Sequence, residues 1–164
     1  MMKKAVLIPD SFKGTLSSTQ ICEIMKARIL AVWPDAQVAS IPVADGGEGS
    51  VDAFLTAVGG RKVRLTVQGP WAEEADSFYG LIDCGRTAVL EMAAAAGLPM
   101  AEGRKDPSRT TTFGVGQLIL DAAHSGARKL IVGLGGSATN DGGCGAAAAA
   151  GARFFNAAGE TCVP

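Results

Sequence analysis

Three glycine-rich polar loops, each lying between a strand-like run and a helix-like run, constrain the fold of this chain most strongly. The first covers residues 10–14, the second 45–49 and the third 133–143. Alternation of strands and helices is typical of a parallel sheet with right-handed crossovers. In such sheets ligands bind beyond the carboxyl ends of the strands, where the following helix directs its N–H groups at the loop. The sequence therefore predicts an α/β fold with its chemistry in these three loops.

The helices are predicted from caps and from apolar spacing. Ser17 and Gln20 match a capping box, and apolar residues three and four positions apart follow them, so we expect a helix over residues 18–33. Other helices are expected at 51–58, 113–125 and 146–150. With the apolar runs before the first two loops, this pattern predicts a strand–helix–strand–helix beginning.

The pattern changes after the second helix, because strand-like runs then follow one another with turns and no helix between them. These runs cover residues 61–70, 76–85 and 87–95. Such a series predicts an antiparallel meander. We therefore place a domain boundary near residues 68–70, with part of one α/β lobe at 1–68 and part of a second α/β lobe at 69–164.

Charge and hydropathy argue against two classes of partner. The chain has 164 residues, of which 48% are apolar, enough to bury a core, and its formal net charge is −1. Because there is no basic stripe, we do not expect a nucleic-acid polymer as partner. No apolar run approaches the length of a membrane span. We therefore expect a cytoplasmic protein with a small-molecule ligand.

The first two loops carry charged groups suited to phosphate and metal chemistry. In the first loop, Lys13 is a candidate to neutralise a phosphate, and Asp10 is a candidate to take a proton or hold a metal. In the second, Asp45 and Glu48 lie three positions apart among glycines. Mg²⁺ commonly takes one or two carboxylates and leaves its other positions to water and phosphate. The structural alternatives are a solvated turn for the first loop and a helix cap by Glu48 for the second.

The third loop offers backbone donors, hydroxyl groups, an amide and a carboxylate to an anion. Its candidate binding residues are Gly135, Gly136, Ser137, Asn140, Asp141, Gly142 and Gly143. Glycine lets the backbone approach an anion closely and permits positive φ. The alternative is a structural turn before a tightly packed helix. The loop lacks the last glycine and the later acidic residue of the dinucleotide-binding fingerprint, which argues against a nicotinamide site.

Three features outside the loops stay open between structural and functional roles. Glu91 is a carboxylate that interrupts an apolar run. The hydroxyls of residues 110–112 most simply cap the next helix, although they could contact a substrate. His124 lies near a helix end, where we expect it to interact with the helix dipole rather than to bind a metal.

The three loops together resemble the bacterial glycerate kinase family, the type unrelated to the P-loop kinases. The resemblance rests on the segments PDSFKGTLSS, PVADGGEGS and GLGGSATNDGGCG, and it extends to EMAAAAGL and RTTTFGVGQLI. It implies phosphorylation of D-glycerate by ATP with the help of Mg²⁺, and 2-phosphoglycerate as the product. It also implies two lobes, one flavodoxin-like and one similar to restriction endonucleases, with the active site between them.

The resemblance assigns residues to the reaction. The matching residues, motif by motif, are Asp10, Ser11 and Lys13; Asp45 and Glu48; and Ser137, Asn140 and Asp141. On this basis Asp45, with Glu48, is expected to help hold Mg²⁺, and Lys13 to offset charge on the transferring group. Asp141 or Asp10 is expected to orient or deprotonate the glycerate hydroxyl. The cation for the glycerate carboxylate stays open among Lys13, Arg64, Arg109 and residues beyond this chain.

Two expectations concern the chain as a whole. Family members continue well past residue 164, so we expect both lobes to be incomplete, with uncovered apolar faces and possible self-association into a homo-oligomer. The alternative function is that of a non-catalytic fragment that binds a small anionic or phosphorylated ligand. For the kinase, Asp10, Asp45 and Asp141 are expected to face one shared cleft.

Overall fold

A computed structural model describes residues 3–104 and 106–162 of the chain. Its strands and helices are, in chain order, β1 (Lys4–Leu7), α1 (Ser18–Val32), β2 (Gln37–Ser40), α2 (Ser50–Val58), β3 (Arg61–Gln68), β4 (Glu74–Ile82), β5 (Thr87–Glu91), α3 (Ala93–Ala96), α4 (Phe113–His124), β6 (Lys129–Gly133), α5 (Cys144–Ala149), β7 (Phe154–Phe155) and β8 (Thr161–Cys162). Short 3₁₀ turns occupy Asp83–Gly85 and Leu98–Ala101. Within the described ranges, no helix combines the length and the apolar character needed to cross a membrane.

The N-terminal part is a parallel β–α–β unit, as the sequence predicts. β1 and β2 pair in parallel, with Lys4 opposite Gln37. The connecting helix α1 begins at the predicted capping box: the Ser17 hydroxyl accepts a hydrogen bond from the Gln20 backbone N–H, and the Gln20 side chain accepts one from the Ser17 N–H. These bonds satisfy backbone donors that the first turn of a helix leaves without partners. The helix ends at Val32, one residue before the predicted end.

The second sheet contains four strands in the order β3-β4-β5-β6. The first three pair antiparallel in chain order, which confirms the predicted meander. β6 then joins β5 in parallel, with Glu91 opposite Gly133, so the sheet is mixed. Because the sheet begins at Arg61, it includes residues on both sides of the predicted boundary at 68–70.

Helices cover both faces of the mixed sheet. Leu90 of β5 belongs to a buried cluster with α3 and α4, whereas its neighbour Val89 belongs to a second cluster with Val51 of α2. Successive side chains of a strand point to opposite faces, so α4 packs on one face and α2 on the other. The larger cluster includes Tyr79, whose hydroxyl donates a hydrogen bond to the Asp121 carboxylate at 2.8 Å. Because Val51 packs against the sheet, α2, the helix that follows the second loop, is fixed on the mixed sheet.

Two alanine-rich segments form helices at positions that differ from the prediction. A strand is predicted through residue 95, but β5 ends at Glu91 and the following alanines form α3, since alanine has the strongest helix propensity. α5 begins at Cys144, two residues before the predicted start. It packs closely on α4, because a Cβ at Gly116 would collide with the carbonyl of Ala146. Small side chains on both helices permit this close contact.

Large apolar side chains are exposed on the β1–β2 unit. Val6 is 61% exposed, Ile8 58% and Ile24, on α1, 52%. A two-stranded sheet with one helix on it leaves apolar surface that a further layer of structure normally covers. Apolar surface is therefore exposed on this unit, while the incompleteness of the lobes and self-association stay predictions.

Candidate active site

The first and second loops meet through a pair of opposite charges. The Lys13 ammonium lies 3.3 Å from Oδ2 of Asp45, and 65% and 50% of the two side chains are exposed. Oδ1 of Asp45 accepts a hydrogen bond from the Gly47 backbone N–H at 2.9 Å. The hydrogen bond from Gly47, together with the contact to Lys13, holds the pKa of Asp45 below its usual value. Asp45 is therefore an ionised and accessible carboxylate at neutral pH.

Hydrogen bonds of Ser18 join the start of the first loop to the segment between β2 and the second loop. The buried Ser18 hydroxyl donates a hydrogen bond to the Pro9 carbonyl at 2.6 Å and accepts one from the Val43 N–H at 3.1 Å. Oδ1 of the exposed Asp10 accepts a hydrogen bond from the Ser11 N–H at 2.7 Å. Ser18 is a residue that the sequence reasoning missed, because its first-turn position suggests only a role in its own helix.

The second and third loops touch through their backbones. The Gly135 N–H donates a hydrogen bond to the Gly46 carbonyl at 2.9 Å. A Cβ at Gly133 would collide with the Gly46 carbonyl, and a Cβ at Gly135 would lie 2.8 Å from the Gly47 nitrogen. Contact between the loops thus accounts for these glycines, which the sequence pattern alone associates with an approaching anion.

The middle of the third loop is held against α3 and the turn after it. The Gly136 carbonyl accepts a hydrogen bond from the Leu98 N–H at 2.9 Å. The Ala138 N–H donates one to the Ala96 carbonyl at 2.8 Å. The Gly136 carbonyl and the Ala138 N–H are therefore occupied by partners within the protein.

The tip of the third loop is the part that a ligand can approach. Asn140, Gly142 and Gly143 are exposed. Just before the tip, the Ser137 and Thr139 hydroxyls lie 2.8 Å apart, and Ser137 Oγ also accepts a hydrogen bond from the Thr139 N–H. Of the predicted anion-binding residues, those of the tip are the more accessible ones.

Asp141 lies in this tip, but its carboxylate is enclosed by donors. Oδ2 accepts hydrogen bonds from the N–H and the hydroxyl of Thr112, both at 2.8 Å, and from the Gly145 N–H at 3.1 Å. Oδ1 accepts one from the Gly143 N–H at 2.9 Å. Burial alone raises the pKa of Asp141, but these hydrogen bonds outweigh it and leave the pKa below its usual value. The carboxylate thereby joins the start of α4 to the start of α5.

Replacing Asp141 with asparagine is expected to destabilise the protein by about 2–4 kcal/mol, because an amide cannot accept all of these hydrogen bonds. Since the pKa of Asp141 is lowered in the folded state, its contribution is complete above the ordinary value of 3.8 and is lost as the pH falls through the folded-state value. Urea unfolding of both proteins from about pH 7 to about pH 2 measures the difference. The exposed carboxylate variant Asp76→Asn is the control. A destabilisation by Asp141→Asn that stays constant over this pH range would contradict the assignment.

The hydroxyls of residues 110–112, predicted to cap α4, form hydrogen bonds both to α4 and to other segments. Thr111 Oγ1 accepts a hydrogen bond from the Phe113 N–H at 3.2 Å, at the start of α4. The Thr112 hydroxyl instead bonds to Asp141 and accepts from the Ala146 N–H of α5 at 3.0 Å. Within this run, Thr111 therefore makes the predicted bond at the start of α4, whereas Thr112 is the N-cap residue of α4 but its hydroxyl bonds elsewhere. His124 lies in the last turn of α4, as expected.

Glu91 caps α2 from the neighbouring strand. It is only 1% exposed, and its Oε1 accepts a hydrogen bond from the Val51 N–H at 2.6 Å. Burial raises the pKa of Glu91, while hydrogen bonds from the Val51 and Gly49 N–H groups oppose that rise. The N-cap residue of α2 is Gly49, which has no side chain to make a cap. Glu48, for which a cap is the structural alternative, has an exposed side chain.

The carboxylates of the second loop suit a magnesium ion that is shared with a phosphate. Within residues 3–104 and 106–162, no group of three His, Cys, Asp or Glu side chains is placed to hold a metal. Asp45 and Glu48 are exposed. Mg²⁺ in phosphate sites usually takes one or two carboxylates, with phosphate oxygens and water as its other ligands. Two exposed carboxylates meet that requirement in number and kind, and Mg²⁺ binding by them stays a prediction.

One cavity lies beside the second and third loops, and another lies between the turn after β3 and the starts of α4 and α5. One, of about 240 Å³, is lined by backbone of the second and third loops and by apolar residues of α2, β5 and β6. The other, of about 210 Å³, lies near Trp71 and Arg109. Asp10, Asp45 and Asp141 line neither of these cavities, so the shared cleft expected for them stays a prediction.

Comparison with known proteins identifies the family. The sequence profile described as the Glycerate kinase family matches residues 5–164. The chain belongs to the glycerate kinase family. It is 45% identical over 162 residues to a glycerate kinase of Bacillus cereus and 45% identical over 158 residues to a glycerate 2-kinase of Escherichia coli.

The likeness to these family members extends over the chain but not over the relatives. The two alignments cover 98% and 96% of this chain and 42% of each relative. A crystal structure from Salmonella typhimurium, described as a glycerate kinase 2, matches with a TM-score of 0.78 and 42% identity, covering 98% of this chain and 43% of the other. The chain thus spans about two fifths of the length of these relatives. The structural match confirms the predicted α/β class with a parallel and a mixed sheet.

Proposed function

We propose that this protein phosphorylates D-glycerate with ATP and Mg²⁺ and forms 2-phosphoglycerate. The observation that carries the proposal is the accessible Lys13–Asp45 pair, 3.3 Å apart, at the junction of the loops. A phosphoryl-transfer site needs a cation and a metal-binding carboxylate close together, because most of its catalysis is positioning and charge stabilisation. The glycerate 2-kinase among the relatives supports position 2 as the site of transfer.

Each loop then has a distinct part in the reaction. Asp45, with Glu48, would hold Mg²⁺, which when bound supplies charge neutralisation and orientation for the nucleotide phosphates. Lys13 offsets negative charge on the phosphoryl group as it moves. The glycerate hydroxyl oxygen forms the new bond to phosphorus, ADP leaves, and the hydroxyl proton goes to a base. These steps need the lysine and the carboxylates to stay accessible, as they are here.

The roles of the two remaining aspartates follow from their surroundings. Asp10 is exposed, and one oxygen accepts a hydrogen bond from its own loop, which leaves it able to orient or deprotonate a substrate hydroxyl. Asp141 is engaged by Thr112, Gly143 and Gly145. We therefore assign the base to Asp10, and to Asp141 the task of shaping the tip of the third loop for phosphate.

A coupled assay for ADP release, with MgATP and D-glycerate, tests the proposal. We expect ADP formation that requires all three components, and 2-phosphoglycerate as the product by NMR or chromatography. L-Glycerate and lactate are the matched control substrates, since each changes one feature of D-glycerate. Turnover that does not depend on glycerate would contradict the proposal.

The second candidate function is ligand binding without turnover. It is favoured by the exposed tip of the third loop, where Asn140, Gly142 and Gly143 can meet an anion without any transfer step. Under this alternative, MgATP or glycerate raises the melting temperature of the chain while the ADP assay stays at background. Binding and turnover together favour the kinase, and absence of both contradicts the two candidates alike.

A further inference from the structure

We propose that Glu91 is a positioning residue that sets the place of the second loop, and with it Asp45; this inference rests on the proposed function. Glu91 has no assigned part in the phosphoryl transfer described above. It is nevertheless a carboxylate with 1% exposure at the end of a central strand. A buried carboxylate is retained without cost to folding only where hydrogen bonds compensate for its lost hydration. The partners in those hydrogen bonds show which segment Glu91 positions.

The bonds of Glu91 lead to the start of α2. Its Oε1 accepts the Val51 N–H at 2.6 Å, and the Gly49 N–H also interacts with the carboxylate. Gly49 is the N-cap of α2, and no side chain of the loop itself caps this helix. Negative charge is favourable at a helix N-terminus, where backbone donors lack partners. The carboxylate from β5 therefore replaces the missing cap.

Two hydrogen bonds connect the start of α2 to Asp45. The buried Ser50 hydroxyl donates a hydrogen bond to the Gly47 carbonyl at 2.8 Å. The Gly47 N–H in turn donates to Oδ1 of Asp45 at 2.9 Å. Movement of the α2 start away from Glu91 would therefore displace the groups that orient Asp45 toward Lys13.

The strand pairing gives this contact a second consequence. Glu91 is the residue opposite Gly133 where β5 and β6 pair in parallel, and Gly133 lies directly against Gly46. The second loop is thus held from β5 by a carboxylate and from β6 by backbone packing. Glu91 and Gly133 lie at the ends of adjacent paired strands, so these two contacts fix the position of the second loop relative to the third.

Glu91→Gln is the variant that tests this role with the least change in shape. Glutamine offers one acceptor oxygen in place of two and turns an NH₂ donor toward backbone donors. We expect amide hydrogen exchange at residues 46–51 to accelerate about tenfold or more, and the MgATP dissociation constant and KM to rise by a similar factor, since bonds to charged acceptors are the stronger ones. The kcat should change less than the KM.

Tyr79→Phe is the matched control for a general loss of stability. It removes hydrogen bonds to Asp121 and Ser125 on the opposite face of the same sheet. We expect it to lower the melting temperature while leaving exchange at residues 46–51 and MgATP binding unchanged. Equal changes in both variants, or no change in Glu91→Gln, would overturn the positioning role.

A second variant, Ser50→Ala, and MgATP binding by the unmodified chain complete the test. If Glu91→Gln does not fold, Ser50→Ala replaces it, because this change cuts the link to Gly47 and keeps Glu91. Ser50→Ala should accelerate exchange at residues 46–48, and unchanged exchange there would overturn the proposal. If the unmodified chain does not bind MgATP, the proposed function fails, whereas the exchange data still decide whether Glu91 holds the second loop.

Discussion

Replacing Asp45 with asparagine is expected to lower the rate of glycerate phosphorylation by about 100-fold or more while the protein stays folded. The carboxylate is half-exposed and lies beside Lys13, so its removal disturbs little packing. Its charge, however, is what would draw Mg²⁺ to the nucleotide phosphates. The coupled ADP assay measures the rate, and circular dichroism with thermal unfolding verifies the fold.

The Lys13→Met variant extends this prediction to the other half of the pair. Methionine keeps most of the length of lysine and removes the charge that offsets the moving phosphoryl group, so we expect a loss of similar size. Exposed ion pairs add little to stability, and the melting temperature should therefore change little. Asp76→Asn, at an exposed carboxylate on β4, is the control with normal activity. If both pair variants kept normal turnover, the assignment of the two roles would be wrong.

A large structural effect is expected from Gly133→Ala. The new Cβ would collide with the Gly46 carbonyl, which is backbone and cannot move aside as a flexible side chain can. We expect a loss of about 1–3 kcal/mol in the free energy of unfolding, as for other overpacked sites, together with separation of the second and third loops. Denaturant unfolding measures the first effect, and amide hydrogen exchange at residues 45–49 measures the second.

Gly142→Ala is the matched control for this substitution. Gly142 has φ +63°, but a Cβ there would meet nothing within 4 Å. Its replacement should cost about 1 kcal/mol of backbone strain and leave exchange at residues 45–49 unchanged. If Gly133→Ala were no more damaging to that loop than Gly142→Ala, close contact would not be the reason for the glycine at position 133.

Local signals predicted the elements of this fold well. The capping box at Ser17 and Gln20 predicted the start of α1, and the turn-separated runs after residue 60 predicted the antiparallel meander. Both depend on contacts between residues near in sequence, or on the period of one segment. The exception is the end of β5: the alanines after Glu91 fit an apolar strand pattern but form a helix.

The sequence predicts which loops form the candidate site, but not how the groups in those loops contact one another. Gly135 and Gly136 of the third loop are predicted from sequence to bind an anion, whereas part of the role of Gly135 is contact with the backbone of the second loop. The sequence predicts Asp141 or Asp10 as the group that orients or deprotonates the substrate hydroxyl, and the structure surrounds the Asp141 carboxylate with donors from Thr112, Gly143 and Gly145. Thr112 and the second loop lie far along the chain from the groups that they contact, where no spacing rule reports them, whereas Gly143 and Gly145 are close to Asp141 in sequence.

Apart from α3, the order of the main strands and helices, the polar character of the loops and the resemblance to the family were determined by sequence alone. Which groups meet was decided by the tertiary structure: Lys13 with Asp45, Gly135 with Gly46, and Glu91 with the start of α2. The physical reason is that helix and strand preferences are set by neighbouring residues. A buried carboxylate or a close backbone contact depends instead on the donors and atoms that other segments bring to it.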